Sequence, residues 1–112
     1  MPTPSLQAFK ADFFRALAHP VRIRILELLS GGDRTVQELQ QLLGLDQPAV
    51  SQQLARLRAK NVVTARKAGA TVTYALSDPL ITRLLAVARE IFNNQLRDTQ
   101  TMLRALRKER GR

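Results

Sequence analysis

The chain has no cysteine, a single histidine, and half as many acidic as basic residues. Without a thiol there is no disulfide, no thiolate metal site and no thiol switch, so three common sensing chemistries are excluded together. Catalysis finds no foothold either. His19 lacks a recognisable serine-and-acid arrangement, and there is no cysteine nucleophile, glycine-rich phosphate loop or metal-hydrolase spacing, so the chain reads as a non-enzyme. Long apolar runs are also missing. No stretch approaches the roughly 18 residues of a membrane span, and the start of the chain lacks the basic region and apolar core of a signal peptide. The expected location is the cytoplasm, with no membrane partner.

What is present has the balance of an ordinary globular domain. In 112 residues, 45% are hydrophobic and 24% charged, which suits a single domain over 1–112 and leaves no room for a catalytic domain beside a binding one. Eighteen Lys and Arg against nine Asp and Glu leave a net charge of +9, which attracts polyanions and makes nucleic acid the leading partner. An anionic membrane surface would call for a free basic amphipathic anchor, and the chain offers none.

Periodicity divides the chain into short helices followed by a hairpin and a long helix. Leu6, Phe9, Phe13, Phe14 and Leu17 recur at helical spacing over Ser5 to Ala18. His19-Pro20 interrupts this pattern, since the residue before proline avoids the helical region while proline suits a first helical turn. Val21 to Leu29 forms a second helix, with Val21, Ile25, Leu28 and Leu29 on its apolar face and Arg22 and Arg24 elsewhere. A helix-turn-helix is expected over about 35–60. Thr35 and Glu38 stand at capping-box spacing ahead of Val36, Leu39, Leu42 and Leu43; Gly44-Leu45 turns the chain; Asp46 caps a fourth helix that buries Val50, Leu54 and Leu57. From Val62 to Leu76 the period falls to two around a glycine-containing loop, which predicts a β-hairpin wing at about 62–76. The predicted fold class is therefore mainly α with a small two-stranded antiparallel hairpin, a winged helix-turn-helix.

A last helix is expected over about 79–107, with the basic end from Arg104 to Arg112 fraying. At about 1.5 Å per residue its roughly 28 residues span ~40 Å, longer than one small core can cover. Part of its stripe should meet another chain. Homodimerisation is assigned to the first and last helices, about 5–18 and 79–107, through Phe9, Phe13, Leu84, Ala88, Ile91, Phe92 and Leu96. A pair of reading helices then fits two half-sites of a pseudo-palindromic operator.

Two segments carry a more specific likeness. Ala16-Leu17-Ala18-His19-Pro20-Val21-Arg22-Ile23-Arg24-Ile25-Leu26, followed by Asp46-Gln47-Pro48-Ala49-Val50-Ser51-Gln52-Gln53-Leu54, resembles the arsenic-repressor (ArsR/SmtB) family over about residues 10 to 85. The resemblance implies a homodimeric winged-helix regulator that represses its own operon and leaves DNA when an inducer, often a metal ion, binds. It also locates two metal sites, and this sequence departs from both. The family's paired cysteines fall on Thr35 and Gln37; in the last-helix site Asp78 alone matches, and Leu80, Ile91 and Asn94 stand at the other positions.

The candidate DNA contacts lie on the fourth helix and the wing. Gln47, Ser51 and Gln52 are assigned to base reading with Pro48 beside them, because Gln can pair with adenine and Ser with several acceptors. Arg56 is assigned to guanine or phosphate, Arg58 and Lys60 to the phosphate backbone, and Arg66 and Lys67 at the wing tip, with Thr71 on the return strand, to phosphate or the minor groove. The bland alternative is that these are solvated charges on an amphipathic helix and a hairpin tip. Arg22 and Arg24 stay equally open. His19 reads first as a capping residue; as a metal ligand it would need carboxylates such as Asp12, Asp33, Glu90 or Asp98 to build a nitrogen and oxygen site for nickel or zinc.

Repression of the chain's own operon is the leading reading, with activation also compatible. Three alternatives remain: a metal-responsive regulator with an unorthodox site, a non-specific architectural DNA-binding protein, and a module that binds a regulatory partner protein. No cofactor is evident. If a dimer neutralises about 6 to 8 phosphates, the logarithm of DNA affinity should fall with the logarithm of salt at a slope of roughly −5 to −7. Fluorescence anisotropy across a salt series measures it, and a slope near zero would contradict electrostatic docking.

Overall fold

A computed structural model describes residues 5–111. Helix α1 is Leu6–Leu17, α2 Pro20–Ser30, α3 Val36–Leu43, α4 Gln47–Ala59 and α5 Leu80–Arg110; strand β1 is Arg34–Thr35, β2 Val63–Ala68 and β3 Thr71–Leu76. The chain divides into one compact unit ending at Thr82 and a second beginning at Arg83.

Local chemistry starts each helix of the first unit. The Ala8 amide donates to Ser5 Oγ at 3.0 Å, and the Val21 amide donates to His19 Nδ1 at 3.1 Å where Pro20 opens α2. Thr35 and Glu38 form the expected reciprocal capping box, with bonds of 3.2 and 3.1 Å. Each bond satisfies one of the amides that a helix start leaves without an intrahelical partner. The turn into α4 is equally defined. Gly44 takes a left-handed conformation (φ 67°), its amide and that of Leu45 both donate to the Gln40 carbonyl, and Asp46 accepts from Ala49 at 3.0 Å.

The core forms where the four short helices meet the base of the sheet. Ile25, Leu26 and Leu29 of α2, Leu39 of α3, and Val50, Leu54 and Leu57 of α4 are buried together with Val62, Val63 and Ile81. Leu26 replaces Leu28 as a principal buried residue of α2, and Leu42 of α3 remains 49% exposed where the periodicity placed it inside. An eight-residue helix seated on one side has too narrow a contact stripe to bury all four of its apolar residues.

The predicted two-stranded wing is a three-stranded antiparallel sheet of order β1-β3-β2. Arg34 pairs with Tyr74 and Thr35 with Thr73. Two residues cannot display a period. They become a strand because Thr35, as N-cap of α3, is already extended (φ −80°, ψ 165°) and the free edge of β3 has donors and acceptors to fill. The hairpin reverses through Gly69-Ala70, with Gly69 at φ 63° and Ala68 paired to Thr71. Ser77 closes the far end, donating through both its amide and its hydroxyl to the Val62 carbonyl.

In the second unit α5 continues to Arg110, so the fraying expected from Arg104 does not occur. Its 31 residues span about 46 Å at 1.5 Å each. Arg107, Lys108 and Arg110 occupy its last turn, where positive charge is favourable to the helix dipole. No helix among the described residues is long and apolar enough to cross a membrane.

A Cβ added at Gly44 would meet nothing within 4 Å, so substitution there acts on the backbone alone. Gly44→Ala is expected to lower unfolding free energy by about 1 kcal/mol, the left-handed penalty less the gain from a stiffer unfolded chain. Urea denaturation monitored by circular dichroism measures it.

Candidate nucleic-acid interface

Because Val50, Leu54 and Leu57 point into the core, the remaining faces of α4 look outward. Gln47, Pro48, Gln52, Arg56, Arg58 and Lys60 are exposed and Ser51 is half-buried. Gln47 Nε2 donates to Ser51 Oγ at 2.8 Å, one helical turn away. The two expected readers are thus a unit. With one amide proton committed, Gln47 keeps its carbonyl and a second N–H, the Ser51 hydroxyl is left to donate, and Gln52 presents its own amide next to them.

Two long-range contacts that sequence reasoning missed hold this helix from behind. Arg22 does not point away from the helical core: its Nη1 donates to Gln53 Oε1 at 2.9 Å and its Nη2 to the Arg15 carbonyl at 3.4 Å. At the other end, Lys60 Nζ bonds Asp12 Oδ2 at 2.8 Å, and Arg15 lies 3.9 Å from the same carboxylate. Lys60 therefore meets α1 before it meets any phosphate. The only hint in the sequence was polarity at positions 12, 22, 53 and 60, and separations of 31 and 48 residues leave no local pattern to detect.

On the hairpin, Arg66 and Lys67 are strand residues and not tip residues, a correction to the sequence reading. Arg66 pairs with Thr73 and Lys67 with Val72. Adjacent strand residues face opposite ways, so Arg66 shares a face with Thr71 and Thr73, and Lys67 lies on the other with Val72. Arg66 and Thr71 remain together, and Lys67 is separated from them.

His19 caps α2 by accepting at Nδ1, so in the neutral ring the proton sits on Nε2, which can donate a hydrogen bond but offers no lone pair to a metal. Among the described residues no three of His, Asp and Glu come together as a metal-holding group. Of its suggested partners, Asp12 is engaged by Lys60.

The residues assigned to dimerisation are core-like in chemistry and incompletely covered. On α1, Phe9 is 72% exposed and Phe13 half-buried with its ring edge-to-face against Phe14 at 5.6 Å. On α5, Leu84 and Ala88 are half-buried and Ile91, Phe92 and Leu96 are exposed by half or more.

Three short helices, a glycine turn, a polar outward face on the second helix of the pair and a flanking β-hairpin define a winged helix-turn-helix DNA-binding protein. Residues 19–65 match the family model of bacterial regulatory proteins of the arsR family. The chain is 46% identical over 108 residues to the HTH-type transcriptional regulator Rv0081 of Mycobacterium tuberculosis, spanning 96% of this chain and 95% of that one. The chain therefore belongs to the arsR family and is a DNA-binding transcriptional regulator. The crystal structure of Rv0081 superposes with a TM-score of 0.79 at 47% identity, covering 87% of this chain and 98% of that one. HlyU from Vibrio cholerae gives 0.71 at 31% identity, with coverage of 80% and 98%. A homodimeric winged helix-turn-helix DNA-binding domain, Mb0332 from Mycobacterium bovis, gives 0.74 at 28% identity, with coverage of 86% and 94%.

The hydrogen bond from Lys60 holds the Asp12 carboxyl below its ordinary 3.8; slight desolvation opposes it, and the charges of Lys60 and Arg15 add to the lowering. A depressed folded-state value means that the tie contributes fully above pH 3.8 and is lost as pH falls through the lower folded value. Thermal melts should accordingly show wild type more stable than Asp12→Asn near neutrality, with the two curves converging as pH falls below 3.8 through the lower folded value. Parallel curves would show that the pair contributes nothing.

Proposed function

We propose that this regulator is a homodimeric repressor that binds a pseudo-palindromic operator near its own gene. Helix α4 lies in the major groove and the β2–β3 hairpin beside it. The observation that carries this reading is the polar surface of α4: Gln47, Ser51 and Gln52 stand in its first two turns, off the fully buried stripe of Val50, Leu54 and Leu57. A non-specific architectural protein would place charge there; here the first two turns carry neutral donors and acceptors suited to base edges. Arg56, Arg58, Arg66 and Thr71 then set position along the phosphates, and Pro48 gives the helix its close approach.

Homodimerisation is supported by the homodimer of Mb0332 and by the apolar residues that one chain leaves uncovered on α1 and on α5. Phe9 and Phe13 with Leu84, Ala88, Ile91, Phe92 and Leu96 supply the interface. Blocking polymerase access at the promoter is then sufficient for repression.

Anisotropy with the gene's own upstream DNA and excess random competitor tests the reading. Gln52→Ala should cost about 1–3 kcal/mol per half-site on the operator and leave random DNA unchanged, whereas Arg66→Gln, which removes a charge from both protomers, should weaken binding to both DNAs and reduce the salt slope by about 2. Equal losses on both DNAs for Gln52→Ala would show that α4 does not read bases. Repeating the titration with chelator, nickel and zinc tests the metal-responsive alternative, for which a shift of about tenfold or more is required.

A further inference from the structure

A cleft of about 230 Å³ opens where α1, α2 and α4 meet. Its walls carry four cations, Arg15, Arg22, Arg56 and Lys60, against one carboxylate, Asp12. The C-terminal dipole of α4 is equivalent to only about half a negative charge, so the cleft remains strongly cationic. Three of the four cations are guanidinium groups, whose planar forks suit phosphate and carboxylate oxygens.

Arg22 adds a second observation. Two of its nitrogens are bonded, to Gln53 and to the Arg15 carbonyl, yet Nε is buried without a hydrogen-bond partner among the described residues. A buried donor left unpaired is costly, and the Arg22 side chain that carries it lines the cleft. The volume lies below the roughly 300–1,000 Å³ of sites for drug-sized molecules, which suits a compact anion.

We propose that this cleft binds a phosphate group, with Asp12 acting as an internal competitor for Lys60. The phosphate comes either from a small free molecule, such as pyrophosphate or a short phosphate ester, or from the DNA backbone. Since α4 forms one wall, occupancy would act on the helix that carries the proposed readers; that consequence rests on the DNA-binding reading, whereas phosphate uptake does not.

Calorimetric titration of the full chain with pyrophosphate at fixed ionic strength, without DNA, tests the site. Saturable uptake of one pyrophosphate per protomer is expected, weakened about five- to tenfold by Arg15→Gln and tightened about threefold by Asp12→Asn. Arg97→Gln removes the same charge from α5 and should change nothing. Absence of saturable uptake, an effect of Arg97→Gln equal to that of Arg15→Gln, or no response to Asp12→Asn would overturn the proposal. Addition of operator DNA then separates the sources. Mutual displacement, with Arg15→Gln in both protomers reducing the salt slope by about 2, assigns the cleft to the DNA backbone. A DNA affinity that shifts to a plateau with pyrophosphate assigns it to a free ligand. Failure of uptake would leave base reading by α4 untouched, and loss of operator specificity would leave the cleft untouched.

Discussion

Helix α4 is held by what lies beneath it. Val50, Leu54 and Leu57 are fully buried, and the helix packs against α1, α2, α3 and β2. A helix fixed along one apolar stripe has no rotational freedom about its own axis, so the direction of every outward side chain follows from the burial of these three. The order of the Gln47–Ser51 pair, the exposure of Gln52 and the reach of Arg56 toward the cleft all derive from that seat. Truncating one of the three would disturb both folding and the direction of the proposed readers, although all three are buried.

Polar ties add direction to this apolar seat without adding much stability. The Asp12–Lys60 pair is about half exposed on both sides, a setting in which ion pairs contribute only about 0–1 kcal/mol. Its geometric effect is larger than its energetic one. It joins α1 to the C-terminal end of α4, and Arg22 joins α2 to the middle of the same helix. A signal arriving at α1 or α2 therefore meets α4 through hydrogen bonds as well as through packing.

The sequence was most legible where one physical signal repeats. Three- and four-residue spacing of apolar residues located α3 and α4, capping residues marked their starts within one residue, and β-branched alternation marked β2 and β3. Elements without repetition were not legible. Strand β1 has two residues and exists only because the edge of β3 accepts it. The contacts of Arg22 and Lys60 depend on groups 31 and 48 positions distant, so they follow from the fold and not from local pattern. Hairpin register also decided the place of Arg66 and Lys67: a polar cluster around glycine suggests a tip, but pairing up to Ala68 shortens the turn to Gly69-Ala70.

The turn from α3 to α4 is fastened on both sides, by the Gln40 carbonyl behind it and by Asp46 ahead. Between these fastenings there is no slack for an additional residue. One residue inserted into the first turn of α4 would rotate all that precedes it by about 100°, carrying Gln47 away from the face shared by Ser51 and Gln52. The connection can thus vary in composition but not in length. The Gly31 to Asp33 segment, exposed and ahead of the reading pair, is where the fold can absorb extra chain without redirecting the reader.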